Sequence, residues 1–258
     1  MHRFVFFVLY STVVAAGQQV APRFEVASIK PLKPDSDAGG GGFFPGGRFA
    51  VSGATVQELV RLAYGVADYQ ILNAPGWATA EKYVIDARAG AGAPTRQEVL
   101  RMLQSLLADR FKLVVRSDSR EMAAYVLEMA RLDKSLGNQL RRSTIDCSTT
   151  EARERARAAL PQGRRACATY MDGSSFLADG VEFTTLTTLL SSSLQAPIDD
   201  RTGLKGLFDW ELRWSRDPGK EGPSLLVAVE EQLGLKLRST RAPVSILVIE
   251  SLERPTPD

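Results

Sequence analysis

The sequence predicts an α+β fold, with α/β as the alternative, made of two similar helix–strand–helix–hairpin halves with largely antiparallel sheets. Three observations support this prediction. Helix start signals precede amphipathic segments, short segments alternate apolar and polar residues, and the order of these elements occurs twice along the chain. We expect the halves to pack about a pseudo-two-fold axis.

The first half begins with an alternating strand at residues 24–30, which ends before a proline. Capping boxes at residues 55–58 and 95–98 each start a helix with apolar residues on one face. Strands are predicted at 82–87, 111–116 and 124–130, and the charged segment 117–121 suits a hairpin turn. The second half repeats this order, with helices at 185–194 and 224–233 and strands at 208–214, 235–239 and 244–250.

The last helix and hairpin of the two halves match at a constant offset of 122 residues. Leu113 then corresponds to Leu235, Arg116 to Arg238 and Val126 to Val248. Further upstream the offset drifts, so small insertions are needed. The pattern favours a tandem duplication, and the alternative is a chance similarity of two amphipathic patterns.

The first residues have the pattern of a signal peptide over residues 1–17, with an apolar segment at 4–14 followed by small residues. An uncleaved membrane anchor is the alternative. The only histidine is His2, so a cleaved chain would contain none. This excludes catalytic triads, histidine-ligated zinc and a histidine general base. The net charge of +2 implies no strongly charged partner.

The predicted domains are a first repeat at 18–132, a polar insertion at 133–175 and a second repeat at 176–258. In an exported chain Cys147 and Cys167 indicate a disulfide, and two free buried thiols are the alternative.

The insertion also carries a basic cluster, which could bind nucleic acid or an anionic surface but lacks any nucleic-acid-binding motif. A solvated, disulfide-tied segment is favoured. The glycines at 39–47 lack the residues of a phosphate-binding loop and indicate a flexible loop. The arginines of the cluster are Arg141, Arg142, Arg153, Arg155, Arg157, Arg164 and Arg165.

Aromatic residues flank the equivalent turns of the two halves and could frame one groove that stacks on sugars or clamps a peptide. Asp200 and Arg201 would add polar contacts there. The alternative places the tryptophans in the core. The aromatic residues are Tyr69, Trp77, Trp210 and Trp214.

Paired carboxylates could instead support hydrolysis, as in glycosidases. The acids at 199–200, 209–211 and 230–231 are candidates, but each pair is better explained as a turn or a solvated surface. No lysine lies three residues after a serine, and no EF-hand spacing is present. The sequence therefore predicts no catalytic residue, metal or cofactor.

Several blocks, matching in order along the chain, resemble the acidobacterial soil-associated protein family of exported proteins of unknown function. Similar domains also occur next to antirepressor-type membrane metallopeptidases, so the resemblance implies export and hints at sensing or binding, without catalytic residues. The blocks are FEVASIKP at 24–31, GGRF at 46–49, LLADRFKL at 106–113, DRTGLKG at 200–206, QLGLKL at 232–237 and ERP at 253–255.

We expect an exported, periplasmic or extracellular binding or interaction module, sensor-like and without covalent chemistry, rather than an enzyme. Its ligand would be a glycan, a peptide or a protein, with no nucleic acid partner and no transmembrane span in the mature chain. A carboxylate-dependent hydrolase is the alternative function, and a structural envelope protein is a third interpretation.

Overall fold

The computed structural model of the chain describes residues 21–33, 36, 39–161, 164–215 and 222–255. The predicted signal peptide at 1–17 lies outside these residues. The chain divides into two compact units. Among the described residues, the first unit takes those within 21–64, 80–113 and 253–255, and the second those within 65–79 and 114–252.

The described residues form twelve strands and six α-helices. The strands are β1 (Val26–Pro31), β2 (Gly40–Phe44), β3 (Arg48–Thr55), β4 (Ile71–Leu72), β5 (Lys82–Arg88), β6 (Val114–Met129), β7 (Leu140–Arg142), β8 (Ala168–Met171), β9 (Ser175–Glu182), β10 (Ile198–Asp200), β11 (Leu207–Arg213) and β12 (Leu235–Ser251). The helices are α1 (Val56–Tyr64), α2 (Gly76–Ala80), α3 (Arg96–Arg110), α4 (Thr150–Ala159), α5 (Phe183–Leu194) and α6 (Leu225–Leu233).

The first unit contains an antiparallel sheet with the strand order β1-β5-β3-β2, here called the first sheet. Its helices α1 and α3 pack against each other, and Gln104 Nε2 donates to the Ala63 carbonyl at 2.8 Å. Both predicted capping boxes form: Thr55 and Glu58 exchange hydrogen bonds before α1, as do Thr95 and Glu98 before α3. Local sequence therefore sets where these helices begin.

The second unit contains two sheets. The second sheet is antiparallel with the order β7-β11-β9-β8, and the long-strand sheet has the order β10-β6-β12-β4. In the long-strand sheet β6 and β12 are antiparallel to each other, while β10 and β4 add in parallel at its edges. Helices α5 and α6 bury apolar residues in one core with these sheets. The prediction of an α+β fold with mostly antiparallel sheets is confirmed.

The predicted hairpins within residues 111–130 and 235–250 do not form. Each segment is one long strand, and β6 pairs with β12 along nearly its whole length. The segment 117–121 has no glycine or Asn-Gly pair that would favour a tight turn, so the strand continues through it. The Ser245 carbonyl accepts from Gln70 Nε2 and faces away from β6. The nitrogen of Pro243, two residues earlier, points to the same side, so the pairing with β6 loses no hydrogen bond at the proline.

The compact units interleave along the chain, and the continuous ranges given for the two repeats and the insertion stay a prediction. The segment predicted as a polar insertion, residues 133–175, includes the strands β7 and β8 and the helix α4. Thr149 caps α4 by accepting a hydrogen bond from the Ala152 N–H at 3.1 Å. Among the described residues, no helix is long and apolar enough to cross a membrane.

Candidate functional site

The tryptophans expected to line a groove lie mainly in the core of the second unit. Trp210 is 1% exposed and Trp214 is 8% exposed, and the Trp214 ring lies 4.6 Å from that of Phe176. Trp77 and Tyr69 are half-buried, and the Tyr69 hydroxyl lies 3.3 Å from Ser191 Oγ. The Trp210 indole therefore has no face free for a ligand, and Trp214 is exposed only at the edge of one cavity.

Asp200 and Arg201 are exposed at the end of β10. The Asp200 carboxylate accepts from the backbone N–H and hydroxyl of Thr202, at 2.9 and 2.7 Å, and so closes a turn. Arg201 pairs with Asp199 at 2.8 Å and lines a cavity of about 400 Å³. Trp214 lines a different cavity, so the structure does not bring these residues into one site.

The second sheet has one apolar face and one charged face because side chains alternate along each strand. On β11, Phe208, Trp210 and Leu212 point into the core. Between them, Asp209 and Glu211 lie on the opposite face, here called the outer face. The alternating sequence of β11 therefore places two carboxylates on the face that points away from the apolar core, where they need polar partners.

Arg164 neutralises the most buried of the outer-face acids. Its Nε and Nη2 atoms each donate to a different oxygen of Asp179, both at 2.7 Å, while the Asp179 side chain is 3% exposed. Nη1 lies 3.5 Å from a Glu211 oxygen. The hydrogen bonds with Asp179 raise the pKa of Arg164, so the guanidinium is charged.

Asp209 is held by two further donors. It accepts from the Gly180 N–H at 2.8 Å and from Arg141 at 3.0 and 3.1 Å. Its side chain is 7% exposed, so these bonds replace water that burial removes. The outer face is thus a network of paired charges.

The disulfide segment is residues 143–167, and its described residues around Cys147 and Cys167 lie against this outer face. Cys147 and Cys167 are joined, with 5.8 Å between their Cα atoms, so the predicted disulfide is confirmed. The Cys167 N–H donates to the Asp179 carbonyl at 2.7 Å. A Cβ atom built on Gly180 would lie 3.0 Å from both Cys147 Sγ and Ile145 Cβ. This close approach explains why the neighbouring acids are shielded from solvent.

Two cavities open beside α4, and both are lined by Arg157 and Arg165. The smaller, of about 430 Å³, also has Arg153 and Glu154 in its wall. The larger, of about 600 Å³, extends over the outer face of the second sheet. Its other lining residues are Arg164, Tyr170, Asp172, Ser175, Leu177 and Arg213. We call the two cavities together the arginine site.

The guanidinium groups of the arginine site differ in their partners. Arg164 is paired with Asp179, and Arg213 pairs with Glu211 at 2.7 Å. Arg157 and Arg165 are exposed and, among the residues that the structure describes, neither forms an ion pair or a side-chain hydrogen bond. Two arginines shared by both cavities are therefore available to an anion from solution.

One acid in the larger cavity remains charged and faces the same space. Hydrogen bonds from the Ser175 side chain and the Ser174 N–H lower the pKa of Asp172 below its ordinary value. A ligand in the larger cavity would therefore meet one carboxylate and two guanidinium groups that have no partner in the described part of the chain. Sequence reasoning interpreted the basic cluster as solvated. The helical spacing of Arg153 and Arg157, with the disulfide that encloses them, was the signal that could have located the site.

No group of three or more histidine, cysteine, aspartate or glutamate residues among those described could hold a metal ion. A family model described as a protein of unknown function (DUF3738) matches residues 57–252. No curated protein and no solved structure matches the chain. The expected resemblance to a family of unknown function is confirmed at that level, and the match says nothing of acidobacterial origin or soil association.

Proposed function

The chain belongs to the DUF3738 family, whose function is unknown, and we propose that it is an exported binding module that holds an anionic ligand in the arginine site without covalent chemistry. The observation that carries this proposal is the pair Arg157 and Arg165, which line both cavities without an ion-pair partner among the described residues. The volumes of the two cavities, about 430 and 600 Å³, lie within the range of small-molecule sites.

The chemistry of arginine favours this ligand class. A guanidinium is charged at all physiological pH values and presents donors in a planar fork that matches the oxygens of carboxylates and phosphates. An unpaired guanidinium at the wall of a cavity gains more from such an anion than one exposed to bulk water, because the wall displaces part of the solvent. The ion pair with Asp179 also fixes Arg164 on the outer face of the second sheet.

The described contacts favour binding over hydrolysis. Glycosidases need one carboxyl group as a proton donor and a second as a nucleophile or base. Asp209 and Glu211, which share the outer face, already accept from arginines, and Asp199 pairs with Arg201. Because each of these acids is already paired with an arginine, none of them offers the unpaired carboxyl groups that a glycosidase uses.

Export is part of the proposal. The apolar segment at residues 4–14 has the length of a signal-peptide core. The disulfide fits an oxidising compartment such as the periplasm or the extracellular space. A sensor-like role would follow if ligand binding were passed to a partner.

Differential scanning fluorimetry tests the binding proposal. Phosphate, sulfate, acetate and D-glucuronate are each titrated, because a ligand that binds only the folded state raises the melting temperature with saturation. At least one anion should do so for the wild type and for Arg155→Gln, which removes a charge from the same helix outside the lining of the arginine site. The double change Arg157→Gln/Arg165→Gln should abolish the saturable shift. If no anion stabilises the wild type, or if the double variant responds equally, the proposal is wrong.

A further inference from the structure

The larger cavity of the arginine site has one aromatic wall. Tyr170, on the edge strand β8, is 53% exposed and lines the cavity together with Leu177. An exposed tyrosine of this kind offers an apolar ring face to whatever lies over it, while its hydroxyl remains in water. A ligand anchored at Arg157 and Arg165 therefore has a flat surface on which to lie.

Polar groups that would not be needed to bind a simple ion also line the larger cavity. Asp172 is a charged acceptor in the cavity and Ser175 is a buried hydroxyl in its lining. A carboxylate accepts hydrogen bonds only, so it favours a ligand with hydroxyl or amine donors. It also repels a second negative charge near it, so the anionic group of the ligand is expected on Arg157 and Arg165 and not beside Asp172.

These requirements describe one class of compound: a negative group at one end, a ring with an apolar face, and donor groups along its edge. Inorganic phosphate lacks the ring, and an aromatic carboxylate lacks the donors. We propose that the arginine site binds an acidic sugar, with its carboxylate on Arg157 and Arg165 and its ring over Tyr170. This inference rests on the proposed function and adds the class of ligand to it.

Isothermal titration calorimetry with three probes tests the inference on the purified protein. D-glucuronate carries both the ring and the carboxylate, D-glucose carries the ring alone, and acetate carries the carboxylate alone. We expect D-glucuronate to bind at least about tenfold more tightly than either of the others, because both sets of contacts contribute. Arg157→Gln should abolish D-glucuronate binding, and the control Arg155→Gln should leave it unchanged.

Tyr170→Ala separates the ring contact from the charge contact. Because the side chain is half exposed, the variant is expected to fold, and the loss of an aromatic contact should weaken D-glucuronate binding about fivefold. Acetate binding should not change in this variant.

The possible results separate the inference from the proposed function. If acetate binds as tightly as D-glucuronate, or if Tyr170→Ala has no effect, the sugar inference is overturned while anion binding survives. If D-glucose binds as tightly as D-glucuronate, the role of the arginines is overturned. If none of the three probes and no anion in the fluorimetry binds, both proposals fail.

Discussion

The first and second sheets have the same strand order but differ in what lies on their outer faces. The orders β1-β5-β3-β2 and β7-β11-β9-β8 correspond strand by strand. Ala54 lies opposite Tyr83 in the first sheet as Val181 lies opposite Phe208 in the second. In both sheets the pairing register shifts close to this point.

The difference lies in one connection. In the first sheet, residues 32–39 join β1 to β2, and in the second the whole disulfide segment, residues 143–167, joins β7 to β8. The carboxylate of Asp86 on the first sheet pairs with Arg48 at 2.7 Å and keeps 39% of its side chain exposed. Asp179, on the second sheet, keeps only 3%. The acid on the first sheet thus forms an exposed ion pair, whereas the acid near the disulfide segment belongs to a buried network beside the arginine site.

The largest expected effect comes from removing the disulfide. Cys147→Ser/Cys167→Ser opens a connection with a sequence separation of 20, which should lower the free energy of unfolding by about 3 kcal/mol in the chain-entropy model. Urea unfolding under non-reducing conditions measures this loss. Hydrogen exchange should show reduced protection in β7, β9 and β11 and unchanged protection in β1, β3 and β5. An equal loss in the first sheet would contradict a local role for the segment.

A smaller effect is expected from the ion pair beneath the segment. Asp179→Asn leaves Arg164 without its carboxylate, and we expect a loss of about 2 kcal/mol. This is less than for a fully buried pair because the Arg164 side chain is 21% exposed. The comparison change Asp86→Asn, in the exposed ion pair of the first sheet, should lower the free energy of unfolding much less, since exposed ion pairs contribute little. Equal losses in urea unfolding of the two variants would show that the disulfide segment does not set the difference between the sheets.

Much of this comparison could be predicted from the sequence because it depends on local signals. Capping boxes start α1 and α3, and Gly234, with a φ of 69°, ends α6. The disulfide was predicted from the number of cysteines together with the expectation of export. These features are determined by a few neighbouring residues, so a single sequence carries them.

Long-range pairing was not predictable in the same way. The two strands of a hairpin show the same alternation of apolar and polar residues as two long strands that pair with each other. Periodicity therefore could not distinguish the two arrangements. The pairing places Arg116 opposite Val248 and Arg238 opposite Val126, which are the positions related by the offset of 122. This register and the common strand order support the tandem duplication, which stays a prediction.

The site was missed because burial depends on what a loop covers. Trp210 was a candidate for a groove, yet it occupies the core position of β11. The sequence pattern favours solvated arginines, and no periodicity shows that Arg164 pairs with Asp179 on β9. Such contacts depend on the tertiary path of the disulfide segment, which a single sequence does not reveal.

The smallest expected effect concerns the matched positions Tyr83 and Phe208, because only the first sheet carries a hydroxyl there. Tyr83 is 2% exposed and its hydroxyl donates to Glu81 at 3.0 Å. Burial, with this hydrogen bond, raises the pKa of Tyr83 from 10.0 to about 12. The folded state then holds a proton that the unfolded state releases, so this contribution to stability is complete below pH 10 and is lost as the pH rises towards 12. Tyr83→Phe should cost about 1 kcal/mol at neutral pH through the lost hydrogen bond. It should also flatten the fall in stability between pH 10 and 12, measured by urea unfolding at each pH. An unchanged alkaline fall would place the titrating group elsewhere in the protein and remove this difference between the two sheets.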